Sequence, residues 1–195
     1  MKIRKLGDLT KPIIEMLEDV GLAEEALDEK DTPYARRNYV RALFAMIEGT
    51  IFALKQTTLT GGLSAPKLLS VAELAILQEV SFDLTNKGDV KSQTKFFRMA
   101  ENLRFTASIV SKVFQCNLEL SVGTKDWDNF LKAIEIRNRI THPKSSTEFQ
   151  VSDEEIKVAR DVSLWFNQFT HNAVKGIQAR ITKPRSNNSF NRSAD

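Results

Sequence analysis

Between Val40 and Leu54 apolar residues return every three or four positions: Val40, Phe44, Ile47, Ile51 and Leu54. That period is one face of an α-helix. Thr32-Pro33 supplies a cap and a first-turn proline for it, and Thr60-Gly61-Gly62 reads as its end, near Leu59. A second stripe, Phe96, Phe97, Ala100, Leu103, Ala107, Val110 and Phe114, predicts a helix from about Ser92 to Asn117. Between these two, Ser70-Val-Ala-Glu73 is a capping box and opens a helix expected to run to Asn86-Lys87-Gly88. An earlier helix is expected over Leu9–Leu27. Asp126 and Asp128 suit the first turn of a fifth, which His142-Pro143 closes because a residue before proline is pushed out of the α region. Ser152-Asp-Glu-Glu155 caps a sixth, running to about Ile181. The pattern therefore predicts an all-α, single-domain bundle of about six helices over 1–182, in which no segment reads clearly as a strand.

Beyond Lys183 the chain is polar, with one apolar residue and no period, and is expected to be a disordered tail over 183–195. Composition adds little to the fold but narrows the setting. The chain has 195 residues, 42% hydrophobic, with only 8 Gly and 5 Pro, which favours long helices over many short strands. One cysteine, Cys116, builds neither a disulfide framework nor a thiolate metal site. A reducing, cytoplasmic setting is the expectation. Polar residues follow the basic start, so no secretory signal is expected. The best membrane candidate, Ala42 to Leu54, is broken by Glu48.

The net charge of +3 is unevenly placed. Lys175, Arg180, Lys183, Arg185 and Arg192 face one acid, Asp195, in the last stretch, which alone carries +4. Residues 1–174 thus sum to about −1. A case for nucleic-acid binding must come from local clusters.

The cluster of interest is WDNFLKAIEIRNRITHPK, Trp127 to Lys144. Trp127, Phe130, Leu131 and Ile134 fall on one helical face, and Arg137, Asn138 and Thr141 continue it. A stripe aimed at the core turns polar within two turns. An arginine there needs a cleft, a second subunit or an acidic partner. Spacing alone also fits a plainer account, in which Arg137, Arg139 and His142 are cations at a helix C-terminus, favoured by the macrodipole.

Arg137-Asn138-Arg139-Ile140-Thr141-His142 resembles the motif of the HEPN family: an arginine, a polar residue, then a histidine after a short gap. Tyr39 to Gln56, with Glu48, resembles the long early helix of that group. The resemblance covers roughly Pro33 to Gly176. It departs in Arg139, an extra cation inside the motif, and in the short gap of four. It implies an all-helical fold and metal-independent endoribonuclease activity. His142 would be the acid–base group, the role for which histidine is the common residue type. Arg137 would clamp the phosphate, and Asn138 would orient one of them. It further implies a homodimer that sets two motifs across one groove, no cofactor, and a toxin or defence role with an antitoxin or other partner protein. The last residues resemble the translated read-through of an integron recombination site, which would imply a bacterial gene cassette.

Other residues divide between roles. Glu48 is either a helix-surface charge or the acid that holds Arg137. Arg41, Arg139 and Lys144 are the candidate RNA contacts. Arg36, Arg37 and Arg41 form one basic patch, and Lys95, Arg98 and Arg104 another. His171 is expected to be a hydrogen-bonded packing residue, and Trp127, Trp165 and the phenylalanines to be core. Two histidines and one cysteine have no metal-ligand spacing. The rival readings are a non-catalytic helical binding or dimerisation module, and a helical protein with a small-molecule pocket.

Overall fold

Every member of the stripe from Val40 to Leu54 is buried, at 2% exposure or less. In the computed structural model, which describes residues 6–63 and 68–182, these residues belong to α2 (Pro33–Leu63). Around it stand α1 (Leu6–Glu29), α3 (Val71–Leu77), α4 (Met99–Phe114), α5 (Lys125–Thr141) and α6 (Asp153–Thr182). The fold is all-α. α2 touches each of the other helices, and one continuous apolar core runs from Ile13 in α1 to Ile177 in α6. The α5–α6 seam is aromatic: Trp127, Phe130, Trp165, Phe166 and Phe169 form a chain of rings with centroids 5.4–6.3 Å apart. Tilted and edge-on pairs at this range add to their area burial. No described helix is long and apolar enough to cross a membrane. The tail expected to be disordered lies outside the described residues.

Four expectations are corrected. The helix opened by Ser70 stops at Leu77, far short of Asn86, and an antiparallel hairpin follows: β1 (Val80–Leu84) and β2 (Val90–Thr94). Glu79 reverses the chain with φ of 56°. Asn86-Lys87-Gly88 is the hairpin loop, not a helix end. The Thr85 amide donates to the Asp89 carbonyl at 2.9 Å, and Gly88 takes φ of 84°, a left-handed position that glycine fills without strain. Because the chain between 80 and 94 is a hairpin, α4 begins at Met99, and Phe96 is 87% exposed instead of core. Gly61 and Gly62 do not stop α2. They let neighbours approach: a Cβ on Gly62 would meet Leu69 Cδ1 at 2.2 Å, and one on Gly61 would meet Phe114 and Val113 at 3.2 Å. His171 is exposed on α6 and is no packing residue.

Both capping boxes form as predicted. Ser152 and Glu155 exchange bonds at 2.9 and 3.3 Å, and Ser70 and Glu73 at 2.7 and 3.2 Å. Glu73 also accepts from Lys112 Nζ at 2.7 Å, tying α3 to α4. The Lys112 ammonium first, and the Ser70 amide second, hold the Glu73 carboxyl down at about 2, against 4.5 for an unperturbed glutamate. A carboxylate whose folded-state value is depressed stabilises the fold above its unfolded value, and that contribution is lost as pH falls toward the folded value. Stability is therefore expected to decline between pH 4.5 and about 2, and Glu73→Gln to flatten that decline. Urea midpoints across this window, compared between the two proteins, are the check.

Candidate functional site

The polar end of the α5 stripe meets α2. Arg137 leaves α5 toward α2 and its Nη2 donates to Glu48 Oε1, while its Nη1 donates to Asn138 Oδ1 at 3.1 Å. Thr141 Oγ1 donates back to the Arg137 carbonyl at 2.6 Å. Of the two roles left open for Glu48, the pairing with Arg137 is the one formed, within one chain. The pair is not sealed: the side chains of Arg137 and Glu48 are 31% and 47% exposed. A guanidinium carries five N–H donors, so some remain for a ligand.

Arg137, Asn138 and Glu48 lie on the wall of a groove of about 890 Å³ between α2, α5 and the start of α4. Phe52, Phe96 and Leu131 give it apolar exposed walls. Its charged lining is mixed: Glu48, Glu79, Glu101 and Glu135 against Lys95, Arg98 and Arg137. It carries no positive excess. Sequence reasoning missed this second wall, because Phe52 stands off the α2 stripe and Lys95 and Phe96 were read as helix. The alternation of Val80-Ser-Phe-Asp-Leu84, with period two, would have moved the start of α4 and exposed them.

His142 does not line the groove. It caps α5 with φ of −129° and ψ of 59°, its amide donates to the Asn138 carbonyl at 3.0 Å, and its ring is exposed. Five positions along a helix are about 140° around its axis. Arg137 and His142 thus leave α5 on different sides, and the side chain of His142 bonds to no described residue.

The remaining candidates gather around the segment joining α5 and α6: Arg139 comes from α5, Arg41 from α2, and Lys144 lies within it. Arg139 turns inward, with Nη1 donating to the carbonyls of Glu148 and Gln150 at 2.6 and 2.7 Å and Nη2 to Glu155 at 2.5 Å. Its guanidinium is engaged in fixing that segment, with 27% of the side chain exposed, so an RNA contact there would compete with three bonds already made. Arg36 donates to the Val151 carbonyl at 3.0 Å and pairs with Asp31 and Asp153. Arg37 lies 3.9 Å over the Phe149 ring, a cation–π contact. Most of that basic patch therefore clamps the segment to α2. Arg41 and Lys144 are exposed and keep their charges in solvent, although Arg41 also reaches the Phe149 ring at 5.8 Å. Among the described residues, no three His, Cys, Asp or Glu side chains converge as metal ligands would. Comparison with protein-family models, with curated proteins and with solved structures gave no match.

Proposed function

We propose that the chain is a HEPN-type endoribonuclease whose site is completed between two copies. The observation that carries the reading is Arg137: an arginine at the end of a core stripe, oriented by Glu48 and Asn138 on the rim of an open groove, five residues before an exposed histidine. An oriented guanidinium stabilises the charge that builds on a phosphate under attack. His142, exposed on the same helix end, would move the proton to or from the ribose hydroxyl and the leaving oxygen. Since the two side chains diverge on one helix, Arg137 of one copy would act with His142 of the other. The test is cleavage of mixed RNA in EDTA by purified protein, beside a His142→Ala copy. Activity in the first and its loss in the second is the expected result. Equal cleavage by both, or none by either on several RNAs, removes the reading.

A second reading is favoured by the charge of the groove. Acids and bases balance along it, whereas phosphate binding draws on positive charge. A non-catalytic module, whose Glu48–Arg137 pair joins α2 to α5 and whose groove receives a protein partner, fits that balance. It predicts no RNA cleavage and no weakening of RNA binding by Arg137→Ala.

A further inference from the structure

The hairpin stands apart from the bundle. Of the other elements it packs appreciably only against α3, and Phe82, Leu84 and Val90 are 60%, 70% and 71% exposed. The register pairs Ser81 with Gln93 and Asp83 with Lys91. Flanking bonds fix the phase of the ladder: Lys95 donates to the Glu79 carbonyl at 2.7 Å and Thr85 to that of Asp89 at 2.9 Å. In an antiparallel pair, hydrogen-bonded and non-bonded positions alternate. Residues 79, 81, 83 and 85 therefore face β2, and the amides and carbonyls of Val80, Phe82 and Leu84 point away from it. Asp83 Oδ1 already caps the Leu84 amide at 2.8 Å. The amides of Val80 and Phe82 find no partner among the described residues.

We propose that this free edge of β1 pairs with β1 of a second copy, antiparallel and centred on Phe82, making a four-stranded sheet across a two-fold axis. The strand is complementary to its own reverse. Centred there, Phe82 faces Phe82, Val80 faces Leu84, and Ser81 faces Asp83, so no like charges meet. The outward amides supply reciprocal bonds between the two Phe82 residues and a bond from Val80 to the Leu84 carbonyl, and Asp83 Oδ1 must swing off the Leu84 amide for the Val80 carbonyl of the second copy to take its place. Val80, Phe82, Leu84 and Val90 share one face, which the joined sheet doubles into a continuous apolar surface. A lone two-stranded ribbon is marginal in water, and further strands with a shared apolar face stabilise it. An isologous contact of this kind closes on itself as a dimer and leaves no growing edge of the same strand. The base of the hairpin, Glu79 and Lys95, also lines the groove of Arg137, so the contact would bring two grooves to one side of the assembly. The inference rests on the hairpin and not on nuclease activity.

The test reads oligomeric state and amide exchange without RNA. A contact this small belongs to weak interfaces, so sedimentation of the full chain should show a dimer forming over micromolar concentrations, complete by about 100 µM. Phe82→Lys should weaken it by about tenfold or more, and Val90→Lys, on the outer strand, by less. Hydrogen exchange by NMR should show the Phe82 amide slowing with concentration while that of Ser92, on the far edge, does not. A monomer throughout, a larger effect at Val90 than at Phe82, or no concentration dependence at the Phe82 amide would overturn the proposal. A dimer that cleaves no RNA would leave it standing and remove the nuclease reading alone.

Discussion

Glu79→Ala is expected to destabilise the fold by about 3 kcal/mol, the lower end of the range for breaking a buried ion pair. Lys55, on the core side of α2, has no exposed side-chain surface. Its Nζ donates to Glu79 Oε1 at 2.8 Å and to Asn102 Oδ1 at 3.1 Å, and lies 5.2 Å from the Phe97 ring centroid. One ammonium thus joins α2, the hairpin base and the start of α4. Removing the carboxylate leaves a charge in the interior with an amide and a ring for company. Glu79 is 34% exposed on its side chain, so water reaches the vacated place, which is why the lower end of the range applies. Removing the charge as well should cost less: Lys55→Met keeps the volume and leaves Glu79 to solvent, and is expected within about 1 kcal/mol of the parent. Glu79→Gly should fall between, since glycine relieves the left-handed backbone at φ of 56° by about 1 kcal/mol. Urea unfolding of the three variants orders them. If Lys55→Met were the most damaging, the Lys55–Glu79 pair would not be what fastens the hairpin base to α2.

The same region shows where sequence stopped informing. Arg41, Glu48 and Lys55 stand at heptad spacing along one flank of α2, and a lysine so placed reads as a surface charge. Its burial depends on a hairpin that the sequence carried only as five alternating residues, Val80 to Leu84, and a loop whose Asn-Lys-Gly signal also ends helices. Local chemistry settled the capping boxes, because Ser70–Glu73 and Ser152–Glu155 make their bonds within four residues. The long helices were equally plain, since a stripe such as Val40 to Leu54 needs only a core to face. The Glu48–Arg137 contact spans 89 positions, yet it was among the readings the sequence left open, because an arginine on an apolar stripe needs an acid, a cleft or a second subunit. Arg139 was not. Nothing near it marks the carbonyls of Glu148 and Gln150 as its partners, since these arise from the path of an irregular segment.

If the site is shared between copies, Arg137→Ala and His142→Ala should each lower RNA cleavage by about 10²–10⁴-fold, and a mixture of the two should regain activity. In a mixed dimer one site receives both substitutions and the other receives neither. The intact site draws Arg137 from the His142→Ala copy and His142 from the Arg137→Ala copy. With random exchange half the dimers are mixed and half of their sites are whole, so about a quarter of parental activity should return. Neither variant should disturb the fold greatly. His142 is exposed and unbonded through its ring, and loss of Arg137 releases a Glu48 side chain already 47% exposed. Glu48→Gln should behave differently. It keeps an oxygen near Nη2 but removes the negative charge that competes with phosphate, so cleavage should fall less than with Arg137→Ala while RNA binding tightens. Combining Glu48→Gln with Arg137→Ala should add nothing further, because two residues in contact act as one unit. Kinetics on one defined RNA, with exchange of the mixed copies verified by a tag on one of them, gives every term. Two inactive variants that exchange freely and stay inactive would mean that arginine and histidine do not meet across copies. Since they already diverge on their own helix, no catalytic role for the motif would then remain.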